Sequence, residues 1–118
     1  MTKPMIREKE MIAPLSNLLR VIERFKEMDS EMQTQAVAVF LCVAKSPMPI
    51  RMSAVAEEIG LAQSSISRNV ALLSDWTRHQ VKGQGLLEAY EDPMERRRKL
   101  VRLTKKGEKF AKSISELL

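Results

Sequence analysis

The sequence predicts a mainly α chain with a small β-hairpin, an α+β fold in which a long N-terminal helix precedes short helices and a basic hairpin. Three stretches carry that prediction. Apolar residues recur at helical spacing from Met5 to Phe25. A short helical pattern then breaks at Gly60 and resumes with a polar face free of acids. Residues 91–107 open on Asp92-Pro93, run through four consecutive cations and alternate apolar with basic residues up to Thr104. A helix pair followed by a basic hairpin and a further helix describes a winged helix-turn-helix with a long N-terminal helix.

The bulk properties agree with one globular domain. A chain of 118 residues buries roughly two-thirds of its unfolded surface. With 44% apolar and 30% charged residues, composition is that of a globular protein and does not suggest disorder. The single Cys42 has no partner for an internal disulfide, which fits a reducing compartment. No apolar run is long enough for a signal peptide or a membrane span, so a soluble cytoplasmic protein is expected. The net charge of +5 is unevenly placed. Residues 1–62 hold eight Lys and Arg against eight Asp and Glu, whereas residues 63–118 hold twelve against seven. The second half therefore carries the whole excess and is the candidate face for a polyanion.

In chain order, residues 4–28 place Met5, Ile6, Met11, Ile12, Leu15, Leu18, Leu19, Ile22 and Phe25 at spacings of three, four and seven. That is one long amphipathic helix, with Pro14 expected to kink it or mark a boundary. Its apolar stripe exceeds what one neighbour covers, and a homodimer through this helix is expected. Asp29-Ser30-Glu31 is read as the cap of a second, nearly all-apolar helix, which Ser46-Pro47-Met48-Pro49 stops. Cys42 on that helix is read as a small buried apolar residue.

Ile50-Arg51-Met52 can form a short strand. Ser53 then opens a helix through Ile59, Gly60 ends it, and a second helix runs from about Gln63 to Ser74. Val55, Ala56 and Ile59 face inward on the first, Leu61 plugs the turn, and Ile66, Val70 and Leu73 anchor the second. The second helix leaves Gln63, Ser64, Ser65, Ser67, Arg68 and Asn69 for the outside. Gln and Asn pair with adenine and Arg with guanine in a major groove, while Ser reaches phosphates. A merely solvated face would mix Glu among its cations.

Residues 75–84 read as a polar loop with one more helical turn, Trp76 packing at the domain edge and His79 exposed. One His beside one distant Cys makes no metal site. Residues 86–90 form the outgoing strand of the hairpin, 92–95 start its tip, and 99–103 return. Thr104 caps a last helix with Phe110, Ile114 and Leu117 on its apolar side.

The segment Asp92-Pro-Met-Glu95-Arg96-Arg97-Arg-Lys-Leu-Val101-Arg-Leu103-Thr104-Lys-Lys-Gly107 resembles the wing of the MarR family of winged helix-turn-helix regulators, in which Asp-x-Arg is followed by x-x-x-Val-x-Leu-Thr-x-x-Gly. Glu95 stands where the pattern has Asp. The resemblance spans residues 30–112. It implies a homodimer on a pseudo-palindromic operator, recognition helices in successive major grooves, and Arg97 reaching a flanking minor groove with Glu95 as its ion-pair partner. Arg96, Arg98 and Lys99 then serve as backbone contacts.

Two departures bear on that picture. The chain ends soon after the helix that follows the wing, and residues 75–85 make a link about eight residues longer than the family's. Dimerisation accordingly falls on residues 1–28, the DNA-binding core is 30–112, and 113–118 complete the last helix of a single 1–118 domain. No small-molecule effector is expected.

The expected function is a transcriptional regulator that binds double-stranded DNA in a sequence-specific way, most simply a repressor. The alternative is a winged-helix module for plasmid or phage replication or partition, or for protein–protein assembly. Residues for catalysis are missing, since no Gly-rich phosphate loop, metal-ligand cluster or nucleophile–base set occurs. No enzyme, cofactor, metal or membrane partner is expected.

Overall fold

A computed structural model describes residues 9–75 and 82–118. In order it contains α1 (Lys9–Met28), α2 (Thr34–Ala44), β1 (Ile50–Arg51), α3 (Met52–Ile59), α4 (Gln63–Leu73), β2 (Leu87–Asp92), β3 (Glu95–Leu103) and α5 (Lys105–Ser115). The three strands form one antiparallel sheet of order β1-β3-β2. This is the mainly helical winged helix-turn-helix expected. Trp76, His79, Met5 and Ile6 lie outside the described residues. No described helix is long and apolar enough to cross a membrane.

The core follows the apolar spacing. Val39, Phe40, Cys42 and Val43 of α2 are buried together with Val55 of α3, Ile66, Val70 and Leu73 of α4, and Leu86, Leu87 and Val101 of the wing base. Three rings join the outer helices to this centre. Phe25 of α1, Phe40 of α2 and Phe110 of α5 meet edge to face, with centroids 5.0 to 5.6 Å apart.

Only the end of α1 takes part. Val21 and Phe25 are its buried residues, whereas Met11, Ile12, Leu15, Leu18, Leu19 and Ile22 are all exposed. These six recur at helical spacing and so line one unbroken apolar stripe.

Three local expectations change. Pro14 neither ends nor divides α1, which is continuous from Lys9; the ring removes one backbone bond, to the Glu10 carbonyl in the first turn. The cap of α2 is Gln33, not Asp29. Asp29 instead accepts from the Glu31 amide at 2.9 Å, a local turn that places Met32 against the core before the helix begins. The wing is also longer than its apolar pattern indicated, because β3 starts at Glu95 and the cation run lies within the strand.

Candidate nucleic-acid interface

The α3–α4 turn is built around Gly60, whose φ of 78° is left-handed and whose amide closes on the Ala56 carbonyl at 2.9 Å. Leu61 also donates to Ala56, at 3.2 Å, and is half-buried. Val55 and Ala56 face Ile66, Val70 and Leu73 across this turn, which fixes the rotation of α4 about its axis.

That rotation sorts the expected contact residues. Gln63, Ser64 and Arg68 are exposed, and Ser65 and Ser67 are half-buried. Asn69 is a correction. It is buried at 8% exposure and its Nδ2 donates to the Ser65 carbonyl at 2.8 Å. The reason is helical geometry: Asn69 follows Ile66 by three and precedes Leu73 by four, so it shares their face. Its polarity suggested an outward position that its spacing forbids. Arg68 lies along the helix, Nη2 donating to Ser65 Oγ at 3.3 Å.

The start of α4 adds a feature missed in the sequence. Ala62, the N-cap, offers no side-chain acceptor, and no acid stands in the first turn. The Ser65 amide donates to the Ala62 carbonyl at 3.0 Å, which leaves the Gln63 and Ser64 amides to suit a phosphate oxygen. A run of small polar residues after an apolar cap position is the signal that could have found it.

A backbone strap links α4 to the wing. Gly83, Gln84, Gly85 and Leu86 donate in turn to the carbonyls of Asp75, Leu72, Ser74 and Leu73, at 2.7 to 3.1 Å. The Leu72 and Leu73 carbonyls are ones the end of α4 leaves unpaired, and the strap satisfies them together with those of the next two residues while setting the wing against the helix. Gly83 is required by space, since a Cβ there would stand 1.9 Å from the Ser74 oxygen. Gly85 has a left-handed φ of 70°. Thr104 Oγ1 donates to the Gly85 carbonyl at 2.6 Å and accepts from the Gly107 amide at 3.0 Å, tying α5 to the same point.

Within the hairpin, Leu87 to Glu91 pair regularly with Leu103 to Lys99. The register then shifts: Asp92 faces Glu95 while Glu91 faces Lys99, which leaves Arg96, Arg97 and Arg98 with no residue opposite. All three are exposed, as is Lys99. A bulge of this kind bends the strand and turns side chains out of the ladder. The expected Glu95–Arg97 ion pair is not among those formed by the described residues; the wing's ion pair is Arg102 with Glu88 at 2.6 Å. Glu95 faces Asp92 across the turn instead. The neighbouring Glu88 carboxylate raises the Arg102 guanidinium further above its usual range, so this cation is held.

Elsewhere, Cys42 is inert. Burial and the nearby Glu58 carboxylate push its thiol up to about 11, while the Cys42 thiol and the Lys45 ammonium hold Glu58 below the usual carboxylate range. No cluster of three metal-ligating side chains occurs among the described residues. A cleft of about 490 Å³ opens between the start of α2 and the C-terminal half of α4, with Gln33, Ala36, Arg68, Asn69 and Leu72 on its walls.

Three solved structures share this architecture. The PcaV transcriptional regulator of Streptomyces coelicolor, solved with its natural ligand, is 23% identical; the match covers 97% of this chain and 77% of PcaV with a TM-score of 0.60. A MarR family transcriptional regulator from Rhodococcus sp. RHA1 is 19% identical over 93% of this chain and 76% of its own, with a TM-score of 0.59. The fold is that of MarR-family regulators. NadR in complex with 4-hydroxyphenylacetate, 16% identical, matches 99% of this chain and 78% of its own at a TM-score of 0.60. PcaV and the Rhodococcus protein are transcriptional regulators. PcaV is solved with its natural ligand and NadR with 4-hydroxyphenylacetate, so the expectation of no small-molecule effector is not borne out. No family model and no curated protein matches the chain.

Proposed function

We propose that this MarR-like chain is a DNA-binding transcriptional repressor that acts as a homodimer on a pseudo-palindromic operator. One observation carries the reading: the strap from Gly83 to Leu86 holds the acid-free start of α4 and the bulged Arg96–Arg98 run on a single frame. Each protomer then offers one element of helical width for a major groove and one cationic hairpin for the adjacent minor groove. Gln63, Ser64 and Arg68 read base edges from the exposed helix start, with Ser65 and Ser67 beside them. Arg97 enters the minor groove, where narrow A/T-rich sequence concentrates negative potential. Arg96, Arg98 and Lys99 contact phosphates. The exposed stripe on α1 supports the dimer, since burying Leu15, Leu18 and Leu19 against a second copy removes apolar surface that this chain leaves in water.

The ligands of PcaV and NadR bring an effector within this reading. The cleft beside α4 has the volume of a small-molecule site, and Arg68 and Asn69 on its wall connect an occupant to the reading helix.

A duplex selected by the whole protein from a random-sequence pool provides the test. Two inverted half-sites are expected. Arg97→Ala should weaken binding most at A/T-rich flanks and reduce the salt slope by about 1, whereas Gln63→Ala should relax one position per half-site by about 1 to 3 kcal/mol. An unchanged affinity for Arg97→Ala at moderate salt would overturn the wing assignment, and a selected site without inverted symmetry would overturn the dimer.

A further inference from the structure

We propose that Met94, at the tip of the wing, is an apolar wedge that enters a base step and kinks the DNA; this rests on the minor-groove role given to the wing. Met94 is 92% exposed, more than Met48 at 74% or any other large apolar side chain described as exposed. Nothing in the hairpin asks for it. A turn that begins with Pro favours Gly, Asn or another small polar residue next, and Met is neither small nor polar. The tip is nonetheless held in shape: the Met94 amide donates to Asp92 Oδ1 at 2.9 Å, and Pro93 fixes the preceding backbone.

Placement gives the side chain its use. The tip projects immediately beyond the bulged arginines, so a guanidinium entering the groove carries Met94 with it to the groove floor. Minor-groove proteins open base steps with unbranched or compact apolar side chains of this type, and flexible pyrimidine–purine steps yield most readily. A thioether on three rotatable bonds adapts to the opened step without demanding a particular base. Asp92 beside it is half-buried as a residue, and its Oδ1 is engaged by the Met94 amide. Met94 would thus set a preference for a TA step in the flank without any hydrogen bond to it.

The experiment uses the full chain and its pool-selected duplex, carrying dyes at both ends for energy transfer, with TA, AA or GC placed in the flank. Met94→Ala should reduce the protein-induced bend by about 20° or more and remove the TA preference, while Met94→Leu keeps both. Because the side chain is exposed, the melting temperature of each variant should match the parent. Arg97→Ala separates the two readings. If it weakens binding while Met94→Ala leaves bend and flank preference intact, the wedge is wrong and the wing reading stands. If neither substitution changes anything, the wing does not enter the groove and both fall. A Met94→Ala variant that binds all flanks more weakly with an unchanged bend also overturns the wedge.

Discussion

The Arg102 guanidinium lies over the Tyr90 ring, 4.3 Å from its centroid, while its Nε donates to Glu88 at 2.6 Å. Of the cations on β3 this one is committed within the protein, on the wing's regular ladder and away from the bulge. Arg102→Ala is therefore expected to leave the salt slope of DNA binding as it was, in contrast to Arg97→Ala. Parallel titrations over a range of salt compare them, and equal losses would mean that Arg102 lets go of Glu88 to meet DNA.

Asn69 shows how a polar residue on α4 can be structural. Asn69→Asp sets a carboxylate where an amide donor meets the Ser65 carbonyl, and such a buried mismatch should cost about 2 kcal/mol at neutral pH. The sign with pH follows from the charge. The folded state disfavours the ionised form, so its carboxyl pKa rises above the unfolded value near 4; stability is retained below that pH and lost as pH rises through the folded value. Thermal melts of the variant from about pH 4 to 7 should show a decline relative to the parent, and a flat difference would mean the side chain swings out to water.

Two glycines hold the wing for lack of space. A Cβ on Gly83 would stand 1.9 Å from the Ser74 oxygen, and one on Gly107 would stand 2.0 Å from the Leu86 oxygen. Backbone must shift in either case, so Gly83→Ala and Gly107→Ala should each destabilise by about 1 to 3 kcal/mol in chemical denaturation. Gly83→Ala should also weaken operator binding beyond its effect on stability, because the strap aligns the wing with α4.

On α1, Leu15→Glu with Leu19→Glu places two charges on the exposed stripe without touching Val21 or Phe25. Each leucine withdrawn from a dimer forfeits about 1.5 to 3 kcal/mol. Sedimentation should show a folded monomer that no longer binds both half-sites together. A variant that remains dimeric would place the interface elsewhere.

The contrast between Gly60 and Asn69 shows what was legible in the chain. The left-handed turn at Gly60, the Thr104 cap and the basic hairpin depend on neighbours a few residues away, and spacing, Gly and capping residues report them directly, whereas the cap of α2 was misplaced by its Asp29 signal. Asn69 is polar yet buried: its spacing from Ile66 and Leu73 places it on their face, and its polarity misled. The arginine bulge arises from register between two strands, which depends on pairs such as Glu91 with Lys99 and not on either strand alone. The strap likewise joins α4 carbonyls to amides about ten residues onward, a pairing with no periodic signal. The sequence by itself determined the helices, the turn and the charge of the wing, since these are local. Only the tertiary structure decided where the arginines bulge and how the wing is held against α4, because contacts between elements set register and pairing.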